Sequence, residues 1–201
     1  MKEMTNRQKQ ANKTKKNIMD TSWRLIKKYG YDSVTIKQIC EEASVSTGAF
    51  YHHLRNKDEI IIEGYLECDN YFDEYVIHNL KSKNAIDKIL EYMEHQTKYA
   101  EKLGINLMTQ IYRAQLIENN DFFLSDERAL PRHLIELIQE AQEQGALSAD
   151  YQAKQICHEL LLISRGVIFN WSLIRGDFNL SEYCKEIILN HLHCFMVDNR
   201  N

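Results

Sequence analysis

The chain has 201 residues, 44% of them hydrophobic and 27% charged, with one proline and seven glycines; so few helix breakers beside a full core complement point to an all-helical fold. The net charge of −4 is uneven: residues 1–57 carry twelve Lys and Arg against five Asp and Glu, while residues 58–201 carry thirteen against twenty-four. A membrane span of roughly 20 apolar residues is excluded, and the basic start MKEMTNRQKQANKTKK has no apolar run of the secretory type, so a cytoplasmic protein with no membrane partner is expected.

A first helix is expected over residues 13–29, with Ile18, Ser22, Leu25 and Tyr29 on one stripe and Gly30 as its stop. Thr35 is a good N-cap for a short helix to Ala43, whose Ile36, Ile39 and Ala43 share a face. Ser44-Val45-Ser46 interrupts it, and Ser46 caps a second short helix over residues 47–54. Asn56, with Glu59 three residues on, opens a fourth. Three short helices in the first 55 or so residues, two of them joined by a three-residue turn, make a helix-turn-helix.

The fourth helix carries Ile61, Tyr65, Cys68, Phe72 and Tyr75 at helical spacing to about Asn79, and a fifth spans residues 85–102. After Gly104 a sixth runs through Met108, Ile111 and Tyr112, and Asn119–Asp121 reads as a loop. A seventh covers residues 131–144, an eighth runs from an Asp150 cap to Arg175, and Asn179 with Glu182 opens a ninth to about Val197. The expected subunit is therefore all-α with nine helices in two parts: residues 1–58 as the helix-turn-helix and residues 59–201 as a larger helical domain. The +7 of the first quarter suits an anionic partner, although a solvated basic tail gives the same count.

Function concentrates in TIKQICEEASVSTGAFYHHLRNKDEI, residues 35–60. Ile36, Ile39, Ala43, Val45 and Phe50 are the pins that lock two helices together, leaving Thr47, Gly48, Ala49, Tyr51 and His52 pointing outward. Small residues at the start of a helix let its backbone approach base edges, and Tyr51, His53 and Lys57 suit phosphate oxygens. Thr35 and Ser46 complete the expected DNA-binding set. The string resembles the TetR (tetracycline repressor) family of bacterial regulators. The matching residues are Gly30, Val34-Thr35, Ile39, Ala43, Val45-Ser46, Gly48, Phe50-Tyr51, His53, Leu54 and Lys57, with Ser44 where the family usually has Gly and Cys40 where it usually has Ala.

The resemblance implies a repressor that binds an approximate palindrome of double-stranded DNA as a homodimer and releases it on binding a small effector. It implies a ligand pocket among the fourth to eighth helices and dimerisation through the eighth and ninth. Residues of the right character for a largely apolar pocket are Tyr65, Asp69, Phe72, Gln96, Tyr99, Met108, Arg113 and Trp171. The last two helices are apolar on more than one face, which suggests a seam through Leu160, Ile163, Val167, Tyr183, Ile187, Ile188 and His191, or else a buried pair within one subunit. Arg165 interrupts the apolar run of the eighth helix and must reach water, pair with a carboxylate such as Asp69 or Glu159, or face a cavity. His191, His193 and Cys194 lack further ligands nearby in sequence, and the five cysteines show no CxxC spacing, so no metal or cofactor is expected and the thiols read as reduced and mostly buried. No nucleophile–base pair, phosphate loop or metal motif suggests an enzyme.

Overall fold

The computed structural model describes residues 5–118 and 123–197; the expected loop at Asn119–Asp121 lies outside them. Backbone contacts divide the chain into two compact units, Met1–Leu66 and Glu67–Asn201. The expected boundary after residue 58 falls eight residues short of this division. The fourth helix accounts for the difference, because it is part of the first unit's core.

In the first unit, α1 (Asn6–Tyr29) is followed by α2 (Ile36–Glu42), α3 (Thr47–His53) and α4 (Asp58–Tyr65). Ile18, Leu25, Val34, Ile39, Phe50, Leu54, Ile60 and Ile61 are buried between them. α1 begins seven residues before the expected Lys13, and the cause is local. Thr5 Oγ1 accepts the Gln8 N–H and Gln8 Oε1 accepts the Thr5 N–H, a reciprocal capping box at the S/T-x-x-E/Q spacing. α4 packs on α1 through Gly64, where an added Cβ would stand 1.9–2.3 Å from three indole atoms of Trp23. A Lys15–Glu63 ion pair at 2.7 Å joins the same two helices.

The second unit holds α5 (Glu67–Tyr71), a π-helical turn (Phe72–Val76), α6 (Ile77–Asn79), α7 (Ala85–Leu103), α8 (Ile105–Glu118), α9 (Ala129–Glu143), α10 (Ala153–Leu173) and α11 (Leu180–Leu192). The single helix expected to end near Asn79 is thus broken into pieces; taken as one, it gives the nine helices expected, counted among the described residues. α7 packs against α8, α9, α10 and α11, burying Ile89, Tyr92 and Met93 among residues that include Met108, Leu134, Ile156, Leu160 and Ile188. Two helix ends depart from expectation. Gln152, not Asp150, precedes α10, because the Asp150 carboxylate takes the Ser148 hydroxyl instead. α11 stops at Leu192, short of Val197, because the chain after it turns back to pair Met196 with Leu147 in an isolated antiparallel bridge. Apart from that bridge the described residues are helix, turn and loop.

Candidate nucleic-acid interface

The α2–α3 pair is built by its caps. Thr35 Oγ1 accepts the Gln38 N–H, and Gln38 Oε1 accepts the Thr35 N–H at 2.8 Å, so the first turn of α2 closes on itself. Ser46 Oγ accepts the Ala49 N–H at 3.1 Å and opens α3. Between them Ser44 has φ +54°, in the left-handed region, which explains the family's usual Gly at this point. The Ala43 carbonyl beside it accepts the Asn17 side-chain N–H at 2.8 Å, which ties the turn to α1. Sequence reasoning missed Asn17, whose polar side chain carried no periodic signal.

α3 buries Phe50 completely and ends on buried Leu54, while Thr47, Gly48, Tyr51 and His52 are exposed, Ala49 and His53 half-buried. The Tyr51 ring stands edge-on to Phe50 with its centroid 5.6 Å away and keeps 54% of its surface in solvent. At Gly48 an added Cβ would meet nothing closer than Ser46 Oγ at 3.8 Å. Packing inside the chain therefore does not call for a glycine in this first turn, although glycine costs a helix about 1 kcal/mol relative to alanine. Burial, with the neighbouring His52 and Lys15, lowers the His53 pKa from its ordinary value.

Lys57 sits differently from expectation. Its ammonium donates to the Tyr31 carbonyl at 2.8 Å and the Val34 carbonyl at 2.9 Å, and lies 4.0 Å from the Tyr31 ring centroid. The Tyr31 hydroxyl in turn donates to Asp58 at 2.6 Å. Those carbonyls belong to the loop between α1 and α2, where the Tyr31 carbonyl also accepts the Val34 N–H at 3.3 Å. The two ammonium bonds draw the lysine inward, toward that loop.

Of the residues expected to line a pocket, Tyr65 belongs to the first unit and the other seven to the second. Tyr65 is buried in the first unit. Asp69 is held bidentately by Arg128, with bonds of 3.0 and 3.1 Å, so neither Arg165 nor a ligand has first claim on it. Phe72 packs edge-on against Tyr92, whereas Tyr99 stacks on Tyr71. Met108 and Trp171 are buried, Gln96 is buried with its Oε1 lacking a hydrogen-bond partner, and Arg113 is exposed. Glu159, the other carboxylate considered for Arg165, pairs with His191 at 2.8 Å. Arg165 lies 5.3 Å from the Phe123 ring centroid. Burial pushes the Cys157 and Cys184 thiols up to about 12, which makes them inert packing groups.

The residues expected at the seam differ in how far their own unit covers them. Leu160, Val167 and Ile188 are buried inside the unit, Ile163, Ile187 and His191 are half-buried, and Tyr183 is exposed. The outward apolar residues of α10 are Leu162, Phe169 and Leu173, at 72%, 44% and 63% exposure. With Gly166 they fall at i, i+4, i+7 and i+11, one stripe of the helix. An added Cβ on Gly166 would meet no atom within 4 Å.

A capped helix pair with an outward face of small and polar side chains, braced by a third helix, defines a helix-turn-helix DNA-binding regulator. Comparison with known proteins agrees. The family model for bacterial regulatory proteins of the tetR family matches residues 18–63, so the helix-turn-helix segment is of the tetR type. Among curated relatives, the negative regulator IcaR of the biofilm operon icaADBC of Staphylococcus epidermidis is 28% identical over 107 residues, covering 53% of this chain and 58% of that protein. The probable acrEF/envCD operon repressor of Escherichia coli is 24% identical over 203 residues, covering 94% and 90%. Among solved structures, Thermus thermophilus FadR in complex with lauroyl-CoA superposes with a TM-score of 0.74 at 19% identity, over 93% of this chain and 97% of that one. Bacillus subtilis FadR in complex with stearoyl-CoA gives 0.60 at 16%, over 88% and 96%. At these identities the structures speak for the fold. Among the described residues no helix is long and apolar enough to cross a membrane.

Proposed function

We propose that this regulator is a homodimeric repressor that holds an approximately palindromic operator and releases it when a small, largely apolar effector binds. The first unit reads DNA, the second dimerises and senses, and the protein acts in the cytoplasm without catalysing a reaction. Gly48 carries the DNA assignment. Its lack of a side chain meets no demand inside the chain and suits close approach of α3 to base edges. Thr47, Ala49 and His52 are the base readers in this reading. Tyr51 and His53 meet phosphates in this reading, with Thr35 and Ser46 at the caps of α2 and α3 completing the set.

The dimer assignment rests on the Leu162–Gly166–Phe169–Leu173 stripe of α10 with exposed Tyr183 on α11. A glycine at the centre of an exposed apolar stripe lets a second copy's helix come close. The sensing assignment is supported by the buried Gln96 and Gln110 amide oxygens that lack a partner; a ligand donor would satisfy either. Two similar structures were solved with acyl-CoA molecules, whose acyl chains are apolar although their coenzyme A parts are anionic.

Mobility shift with the DNA flanking the protein's own gene tests the reading. A retarded complex that resists excess random-sequence competitor is expected, and no preference over the competitor would refute it. Leu162→Glu or Phe169→Glu should yield folded monomers by sedimentation that have lost tight operator binding. An unaffected dimer would move the seam elsewhere.

A further inference from the structure

The first three turns of α1 have no part in the DNA contacts proposed so far. Residues 6–16 precede the first fully buried residue of the helix, Ile18, and lie before the stretch that the family model matches. Their formation is nonetheless assured by the Thr5–Gln8 capping box. Residues 5–17 contain Arg7, Lys9, Lys13, Lys15 and Lys16 and no acidic residue. Lys15 is taken up by Glu63. Lys9, Lys13 and Lys16 fall at i, i+4 and i+7, so they form one stripe, and all three are exposed. Among the described residues none of the three makes an ion pair.

This arrangement runs against the helix's own interest. The positive end of the macrodipole favours acids in the first turn and disfavours bases, yet the first turn has no acid and the second carries Lys9. Lys9 and Lys13 also repel each other at i, i+4. Where local rules are broken at no visible gain to folding, function is the usual reason. The neighbouring surface indicates which function. The Asn17 side chain reaches the Ala43 carbonyl at the α2–α3 turn, so the residues before it lead away from that turn, one side chain from where α3 begins.

We infer that this basic stripe is a second phosphate-binding surface, which grips duplex DNA flanking the half-site read by α3. The inference rests on the DNA-binding reading and extends it. The helix supplies about 16 Å of rigid length, with three ammonium groups along one side. They contact phosphates and carry no sequence preference. The partner is double-stranded DNA, argued from charge and from continuity with the helix-turn-helix.

The test first selects a core operator from random-sequence duplexes with the full-length protein. Binding is then measured to that core alone and to the same core with about ten arbitrary base pairs added on each side, one further helical turn. The wild-type protein should bind the flanked duplex more tightly, by up to about fivefold per phosphate contact at 0.15 M salt, and with a steeper salt slope. The K9A/K13A/K16A variant should lose that gain, and its slope should fall by about 0.9 for each contact removed. Its unfolding temperature should hold or rise, since the conflict with the macrodipole is relieved. Lys27→Ala with Lys28→Ala, at the far end of α1, should keep the gain. If the triple variant proves less helical, K9Q/K13Q/K16Q gives the same comparison with the stem retained. An unchanged flank gain and slope in a folded triple variant would overturn the inference while leaving the DNA-binding reading intact. Failure to select any core would overturn the DNA-binding reading itself.

Discussion

Replacing Lys57 with methionine keeps most of the stem and removes the ammonium that links the loop between α1 and α2 to the start of α4. Two carbonyl bonds, at 2.8 and 2.9 Å, are lost together with the contact at 4.0 Å to the Tyr31 ring. Hydrogen bonds involving a charged group contribute about 1.5–3 kcal/mol when buried, and a partly exposed cation–π contact about 0.5–1 kcal/mol. The site is half-buried and water can reach the vacated carbonyls, so the net loss should be about 1–2 kcal/mol. In a unit of this size each kcal/mol lowers the midpoint by about 4–8 °C. Thermal unfolding followed by circular dichroism, alongside operator binding across a salt series, separates the two roles open to this lysine. The structure predicts a clearly lowered midpoint with a nearly unchanged salt slope. An unchanged midpoint with a slope reduced by about 0.9 would refute the structural role and return Lys57 to the phosphates.

Gly64→Ala should destabilise the first unit by about 1–3 kcal/mol, because the new methyl would overlap the Trp23 indole; a shifted tryptophan fluorescence maximum with weakened operator binding is the expected result. Ser44→Gly should raise the unfolding midpoint slightly, since relief of the left-handed strain at φ +54° outweighs the extra flexibility of glycine by about 0.5 kcal/mol; a lowered midpoint would mean that the serine side chain is needed. Stability should fall as the solution is acidified. Burial lowers the His53 and His95 pKa values below the ordinary 6.5, so the unfolded chain binds these protons first, and the stability they confer is complete above about pH 6.5 and lost as pH falls through the folded values. Urea midpoints between pH 8 and 5 check this, and His95→Gln should flatten the dependence.

The helix-turn-helix was legible because its signals are local. A cap at Thr35, a cap at Ser46 and apolar pins at fixed spacing dictate the structure within a few residues of themselves. The start of α1 had the same kind of signal, Thr5 with Gln8, but no apolar stripe followed for ten residues, and periodicity outweighed the cap in the sequence reading. The seam is less legible for a different reason. α10 is apolar on two faces, and periodicity alone does not say which face its own subunit covers; Leu160 and Val167 are buried within the unit, while Leu162 and Phe169 face outward. Partner choice among charges was least legible. Asp69 pairs with Arg128 and Lys57 with backbone carbonyls across separations to which a single sequence gives no guide.

One helix makes these observations into a single device. α1 holds the α2–α3 turn through Asn17, takes α4 against its Trp23 face and pairs with it through Lys15 and Glu63. Any movement of α4 relative to α3 must therefore strain one of three contacts on α1 or carry α1 with it. A helix in that position transmits its own orientation to whatever its free end touches. If residues 6–16 grip flanking phosphates as inferred, the DNA fixes α1 at one end while Trp23 and Glu63 fix it to α4 further along. Loosening the Trp23–Gly64 contact should then weaken binding to the flanked duplex more than binding to the core alone, because the grip is useful only while α1 and α3 stay in register. That links the packing at Gly64 to the footprint on DNA through rigid-body geometry alone, with no change required in any side chain that touches a base.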